Sequence, residues 1–147
     1  MPGLGFIGSY EHSLDAKSRI VLPAQFRKEF ATEAFLTQHY EGCLALWTPD
    51  EFTQQVQGHR DRQDLSAKDR NETRLWAARA FQVQIDKLGR VAIPQKLKEF
   101  AHLDGTVVVT GALDRVELWD PERWGQRVEP SEDSLSNPTD GGAPAAD

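Results

Sequence analysis

An aspartate and an arginine four residues apart occur twice, as Asp15 and Arg19 in "LDAKSRIVLP" and as Asp86 and Arg90 in "IDKLGRVAIP". In each copy the arginine directly follows a turn. The aspartate is placed to hold the loop or the guanidinium by a charge-assisted hydrogen bond. The chemistry this suggests is recognition of an anion. A single D-x-x-x-R pair is more often an exposed turn charge, so the surroundings decide. Residues 15–28 carry Lys17, Arg19, Arg27 and Lys28 against Asp15, and residues 86–98 carry Lys87, Arg90, Lys96 and Lys98 against Asp86. Each stretch has a balance of +3. The net charge of the chain is −6, but residues 120–147 alone account for −5 of it. The local field, and not the total charge, decides where an anion docks.

The elements that position these pairs are also written twice. "AQFRKEF" follows the first copy as "QKLKEF" follows the second, and "CLALWTPDEF" lines up with "VELWDPERW". Each unit spans about 45 residues, too few to bury a stable core alone, so the two copies should pack on one another about a pseudo-two-fold axis. The alternation predicts a mainly β fold with short helices (α+β). Residues 6–15 read as a strand, 15–18 as a turn and 19–22 as a strand closing a hairpin. A helix follows from Pro23, with Phe26 and Phe30 facing inward. Residues 34–40 and 43–47 read as strands, and Thr48, Pro49 and Glu51 announce a capped helix. The second unit repeats this order. The expected boundaries are a first repeat at 5–56, a helical linker at 57–80, a second repeat at 81–128 and a disordered acidic tail at 129–147.

Other features narrow the function. There is no run long and apolar enough to span a membrane, and the N-terminus lacks the pattern of a secretory signal. A single cysteine, Cys43, fits a reducing cytoplasmic setting and a small buried residue. The four histidines, His12, His39, His59 and His102, show no ligand spacing, so no metal or cofactor is expected. Trp47 and Trp119 stand at equivalent positions and read as packing residues. No phosphate loop, metal cluster or nucleophile elbow is present, which argues against an enzyme. Arg70 and Arg74 lie one helical turn apart, either on a stripe that extends the anion-binding face or on a solvated or subunit-facing surface.

The D-x-x-x-R turn with its following Pro and short basic helix resembles the AbrB-type swapped-hairpin DNA-binding domain. Two tandem copies with "LWxPxxF/W" endings resemble the MraZ family of bacterial transcriptional regulators over roughly residues 5–124. The resemblance implies a swapped-hairpin β barrel made by the two repeats and assembly of subunits into a homo-oligomeric ring. It also implies binding to repeated elements of double-stranded promoter DNA, with the protein in the cytoplasm at the nucleoid. The function implied is control, usually repression, of division and cell-wall genes, with no small-molecule ligand. The DNA-binding residues would be Arg19 and Arg90 with Lys17, Lys87, Arg27, Lys28 and Lys98. Asp15 and Asp86 would support the loops. The first copy departs from the common pattern in having Ser18 where Gly is usual. The alternative is an antitoxin-type module that binds a protein.

Overall fold

The computed structural model describes residues 4–136. The first half runs β1 (Ser9–Ser13), β2 (Arg19–Val21), α1 (Ala24–Arg27), β3 (Glu33–Gln38), β4 (Leu44–Trp47) and α2 (Pro49–Arg62). After α3 (Ala67–Ala78) come β5 (Phe81–Gln84), β6 (Arg90–Ala92), α4 (Gln95–Ala101), β7 (Thr106–Gly111), β8 (Val116–Trp119) and α5 (Pro121–Arg127). The order strand, strand, helix, strand, strand, helix is thus written twice.

Pairing is exchanged between the halves. β1 lies against β7, and β5 against β3, while like strands meet at two seams, β4 with β8 and β2 with β6. A six-stranded antiparallel sheet results, in the order β1-β7-β8-β4-β3-β5, with a separate two-stranded ribbon β2-β6. The register sets Ile20 opposite Val91 and Ala45 opposite Glu117. The members of each pair are counterparts in the repeat, so the pseudo-two-fold axis passes through both pairs.

Two expectations are corrected here. The closed barrel does not form among the described residues, because β1 and β5 are the outer edges of the sheet and the ribbon strands pair only with each other. Each ribbon strand is soon followed by Pro23 or Pro94, which has no N–H to extend a ladder. Nor do β1 and β2 form a hairpin ladder. Their turn closes on itself, and β1 then continues along the longer partner β7, with five residue pairs in register.

The sheet is buried on both faces. Ile20 and Val91 from the ribbon, with Phe26, Phe30 and Leu97 from the helical segments, pack on Leu36, Leu44, Leu46 and Leu118 in one core. Each such side chain contributes about 1.5–3 kcal/mol by leaving water. On the opposite face Cys43, Val108 and Trp119 lie beneath Trp124 and Val128. The expected helix from Pro23 is short, with only Ala24–Arg27 α-helical, but Phe26 and Phe30 both reach the core.

The Thr48 hydroxyl caps α2 by accepting from the Glu51 amide at 3.3 Å, and α2 then continues to Arg62, into the stretch expected as a helical linker. Ser66 caps α3 by accepting from the Asp69 amide at 3.0 Å. Neither helix has a fully buried residue. They hold together through Trp76, whose ring stacks on Phe52 at 5.4 Å and His59 at 4.1 Å.

The expected disorder from 129 onward is corrected for its first part. Glu129–Ser131 forms a 3-10 turn and Glu132–Ser136 a short helix, α6. Val128, anchored beside Trp119, brings the chain into that turn, and acidic Glu132 and Asp133 suit the first turn of a helix. The remainder of the expected tail, 137–147, lies outside the described residues. No helix of the described residues is long and apolar enough to cross a membrane.

Candidate functional site

The two D-x-x-x-R turns have the same geometry, bond for bond. Asp15 Oδ1 accepts from the amides of Lys17 and Arg19, both at 2.9 Å, and Oδ2 accepts from Arg19 Nε at 2.7 Å. Asp86 Oδ1 accepts from the amides of Leu88 and Arg90 at 2.9 Å, and Oδ2 from Arg90 Nε at 2.7 Å. The arginine amide foremost holds each carboxyl below the ordinary carboxylate value; burial opposes it, and the arginine side chain and the second amide add to the lowering. Each arginine spends Nε on its own loop. No hydrogen bond among the described residues engages the terminal Nη groups.

Strand parity sets where those groups go. Arg19 lies opposite Ala92 and Val21 opposite Arg90, while Ile20 and Val91 between them are buried. Side chains alternate across a strand. Arg19, Val21, Arg90 and Ala92 therefore share the outer face of the ribbon, with the two arginines at its diagonal corners.

The turns are also locked to each other. Leu22 donates its amide to Gly89 O at 2.8 Å, and Ile93 donates to Ser18 O at 2.9 Å. Ser18 takes φ +59° where Gly89 takes φ +80°, so the serine adopts the same left-handed turn that glycine allows. Lys98 and Arg27, counterparts in the repeat, each reach over the other half's turn. Lys98 Nζ donates to the Ser18 hydroxyl at 2.6 Å, and Arg27 lies across Gly89 so closely that an added Cβ would sit 2.6 Å from its Cδ.

A family model described as "MraZ protein, putative antitoxin-like" matches residues 6–75 and 77–143. The chain belongs to the MraZ family. Each matched segment contains one written copy of the element order. The MraZ family is regulator-like and is not a known enzyme family.

Within this MraZ framework the expected site residues divide into three sets. Arg19 and Arg90 occupy the ribbon face, and Lys17 and Lys87 are exposed in the turns beside them. Arg27 and Lys98 are half-buried braces between the turns. Lys28 is exposed at the end of α1 and makes no hydrogen bond or ion pair to either turn among the described residues. Arg70 and Arg74 are exposed on α3, and Arg74 bonds Asn71 on its own helix.

The opposite face of the sheet holds a second polar group that sequence reading missed. Glu117, buried on the pseudo-two-fold axis, accepts from Trp119 Nε1 at 2.9 Å and from Arg115 Nε at 2.7 Å. Arg115 also bonds Asp114 at 2.8 Å and lies over the Trp47 ring. Burial opposes the Arg115 charge, but the bond to Glu117 and the charges of Glu117 and Asp114 outweigh it and raise its pKa. Trp47 and Trp119 are core residues, as expected, and Trp47 Nε1 donates to Thr37 Oγ1 at 3.0 Å.

His39, Cys43 and Glu117 each bring one ligand-capable atom to this group, and the three atoms lie within 4.8 Å of one another. The sequence shows no ligand spacing because Glu117 arrives from the other repeat. The only local signal was His39 and Cys43 flanking the Gly42 turn. Cys43 thus has a base near it, but burial pushes its thiol far up, which disfavours a nucleophilic role. Beside this group a cleft of about 650 Å³ opens toward the α2–α3 hairpin, lined by His39, Tyr40, Trp47, His59, Trp76 and Arg115 among others.

Proposed function

We propose that the outer face of the β2-β6 ribbon binds double-stranded DNA and that the protein regulates transcription, as a repressor. The observation that carries this reading is the shared outer face of Arg19 and Arg90, each clamped by its Asp through Nε, with no hydrogen bond to the terminal nitrogens among the described residues. A two-stranded ribbon fits a major groove about 12 Å wide, and an arginine there pairs bidentately with guanine O6 and N7. Lys17 and Lys87 supply phosphate contacts, which set orientation without reading sequence. Arg27 and Lys98 act on the loops, and Lys28 adds to the field.

Two arginines per chain make a small contact. Tight binding then calls for several copies of the chain in a ring engaging repeated operator elements, so that each further contact is intramolecular. The resemblance to transcriptional regulators of the MraZ family supports promoters of division and cell-wall genes as targets. It also supports repeat units at 5–56 and 81–128 joined by the helical segment at 57–80, and a place at the nucleoid.

The test is titration of DNA from upstream of the protein's own gene with wild type, Arg19→Ala and Arg90→Ala, alongside sizing and thermal unfolding. Each substitution should cost about 1–3 kcal/mol per guanine contact, or flatten the salt dependence by about one unit of slope per phosphate contact. Variants that stay assembled and bind like wild type would place the DNA contact elsewhere. The antitoxin-like wording of the family description favours one other reading, a protein-binding module. Capture of a protein partner that is indifferent to both arginines, with no retention of promoter DNA, would support it.

A further inference from the structure

We infer that His39, Cys43 and Glu117 form a binding site for a zinc-type divalent cation on the pseudo-two-fold axis, on the face of the sheet opposite the arginine ribbon. One imidazole nitrogen, one sulfur and one carboxylate oxygen within 4.8 Å of one another make a mixed N/S/O donor set. That set selects zinc, or cobalt as its substitute, over magnesium or calcium, which take oxygen ligands. Donor atoms around tetrahedral zinc stand about 3.5 Å apart, so the group needs to tighten by about 1 Å. His39 is positioned to do so, since it borders the cleft and keeps some exposure there.

The supporting contacts are those a metal site requires. Ligating carboxylates are themselves hydrogen-bonded. Glu117 already has Arg115 Nε on one oxygen and Trp119 Nε1 on the other, and a second lone pair on each oxygen remains. His39 Nδ1 accepts from the Glu41 amide at 3.2 Å, a bond that fixes the ring, and the Glu41 carboxylate stands 3.7 Å from the same nitrogen. The turn is tight: Gly42 donates its amide to His39 O and His39 donates to Cys43 O, both at 2.9 Å, so the two ligands flank a fixed bend. The cleft, which borders His39 and Arg115, gives an entry path. A divalent ion bound there would displace the thiol proton of Cys43 to solvent. The ion would tie the β3–β4 turn of one repeat to β8 of the other.

The experiment uses the full chain, stripped with chelator and titrated with Co2+. One Co2+ per chain should bind with a near-ultraviolet thiolate-to-cobalt band, and Zn2+ should displace it. Cys43→Ser should abolish the band, and His39→Ala and Glu117→Gln should weaken binding. One proton should be released per ion, so affinity should rise about tenfold per pH unit while the thiol is protonated. Added Zn2+ should raise the melting temperature of wild type and leave Cys43→Ser unmoved. Folded wild type that gives no thiolate band overturns the inference, and so does a band that persists undiminished in His39→Ala. Both readings are independent of DNA binding.

Discussion

Lys98 Nζ donates to the Ser18 hydroxyl at 2.6 Å, so the short helix of the second repeat braces the turn of the first. The reciprocal brace differs in kind, because Arg27 lies flat across Gly89 and leaves no room for a side chain there. The two turns therefore tolerate different residues at one equivalent, left-handed position. Gly89→Ala should destabilise the fold by about 1–3 kcal/mol, from the positive φ and the displacement of Arg27. Ser18→Gly should stay within about 1 kcal/mol of wild type, since relief of strain offsets loss of the lysine bond and added chain entropy. Urea unfolding of both variants checks this. Equal losses at the two positions would mean the braces are equivalent.

Much of the local structure was legible because local chemistry dictated it. Asp15 and Asp86 could be placed on their arginines from spacing alone, and Thr48 announced its helix by capping. Phe26 and Phe30 were readable as core from helical periodicity. What escaped was decided by partners distant in sequence. Whether β1 pairs with β2 or β7 depends on which edge offers the longer ladder, and nothing within residues 9–21 encodes that. The stacking of α2 on α3 was hidden because Phe52 meets Trp76 from a separate helix. Glu117 gives no local signal in its strand, because the register that sets it opposite Ala45, beside Cys43 and His39, comes from the other repeat.

Acid should loosen the arginine turns. Asp15 and Asp86 have folded pKa values below their ordinary 3.8, held there first by the Arg19 and Arg90 amides. A depressed carboxyl contributes its full stabilisation above the unfolded value and loses it as pH falls through the folded one. Turn order should thus be constant from neutral pH down to the ordinary carboxylate value, then decline below it. Amide exchange and chemical shifts of Lys17, Arg19, Leu88 and Arg90 report this directly. In Asp15→Asn the first turn should lose that acid transition while the second keeps it. A transition near neutral pH would contradict the assignment.

Removing Glu117 should be costly for its size. Glu117→Ala strands the Trp119 indole N–H in the core and leaves Arg115 with Asp114 alone, a loss of about 2–4 kcal/mol. Trp119→Phe in a Glu117→Ala background should cost less than the same change in wild type, because the bond is already gone. A double-mutant cycle by chemical unfolding gives the coupling. Additive effects would mean that the indole bond contributes nothing.

The α2–α3 hairpin should depend on one ring. Trp76 stacks on His59 at 4.1 Å and on Phe52 at 5.4 Å, and α2 and α3 contain no fully buried residue between them. Trp76→Ala should cost about 2 kcal/mol, less than a fully buried tryptophan would because the ring is partly exposed. It should also change a titration. Burial first, and then the positive charge of Arg62, holds the His59 pKa below its ordinary 6.5, opposed by Glu72. Neutral His59 is therefore free of penalty above the unfolded value, and stability falls as pH drops below 6.5 toward the folded pKa, because only the unfolded chain takes up the proton there. Without the Trp76 ring the imidazole is rehydrated, so its pKa should move back up and that stretch of pH dependence should shrink. Proton NMR of the His59 ring in wild type and variant measures the shift, and unfolding at pH values on either side of 6.5 measures the linked stability. An unchanged His59 titration in a folded Trp76→Ala protein would mean that the stack does not shield the ring, and that α2 and α3 are held together by other contacts.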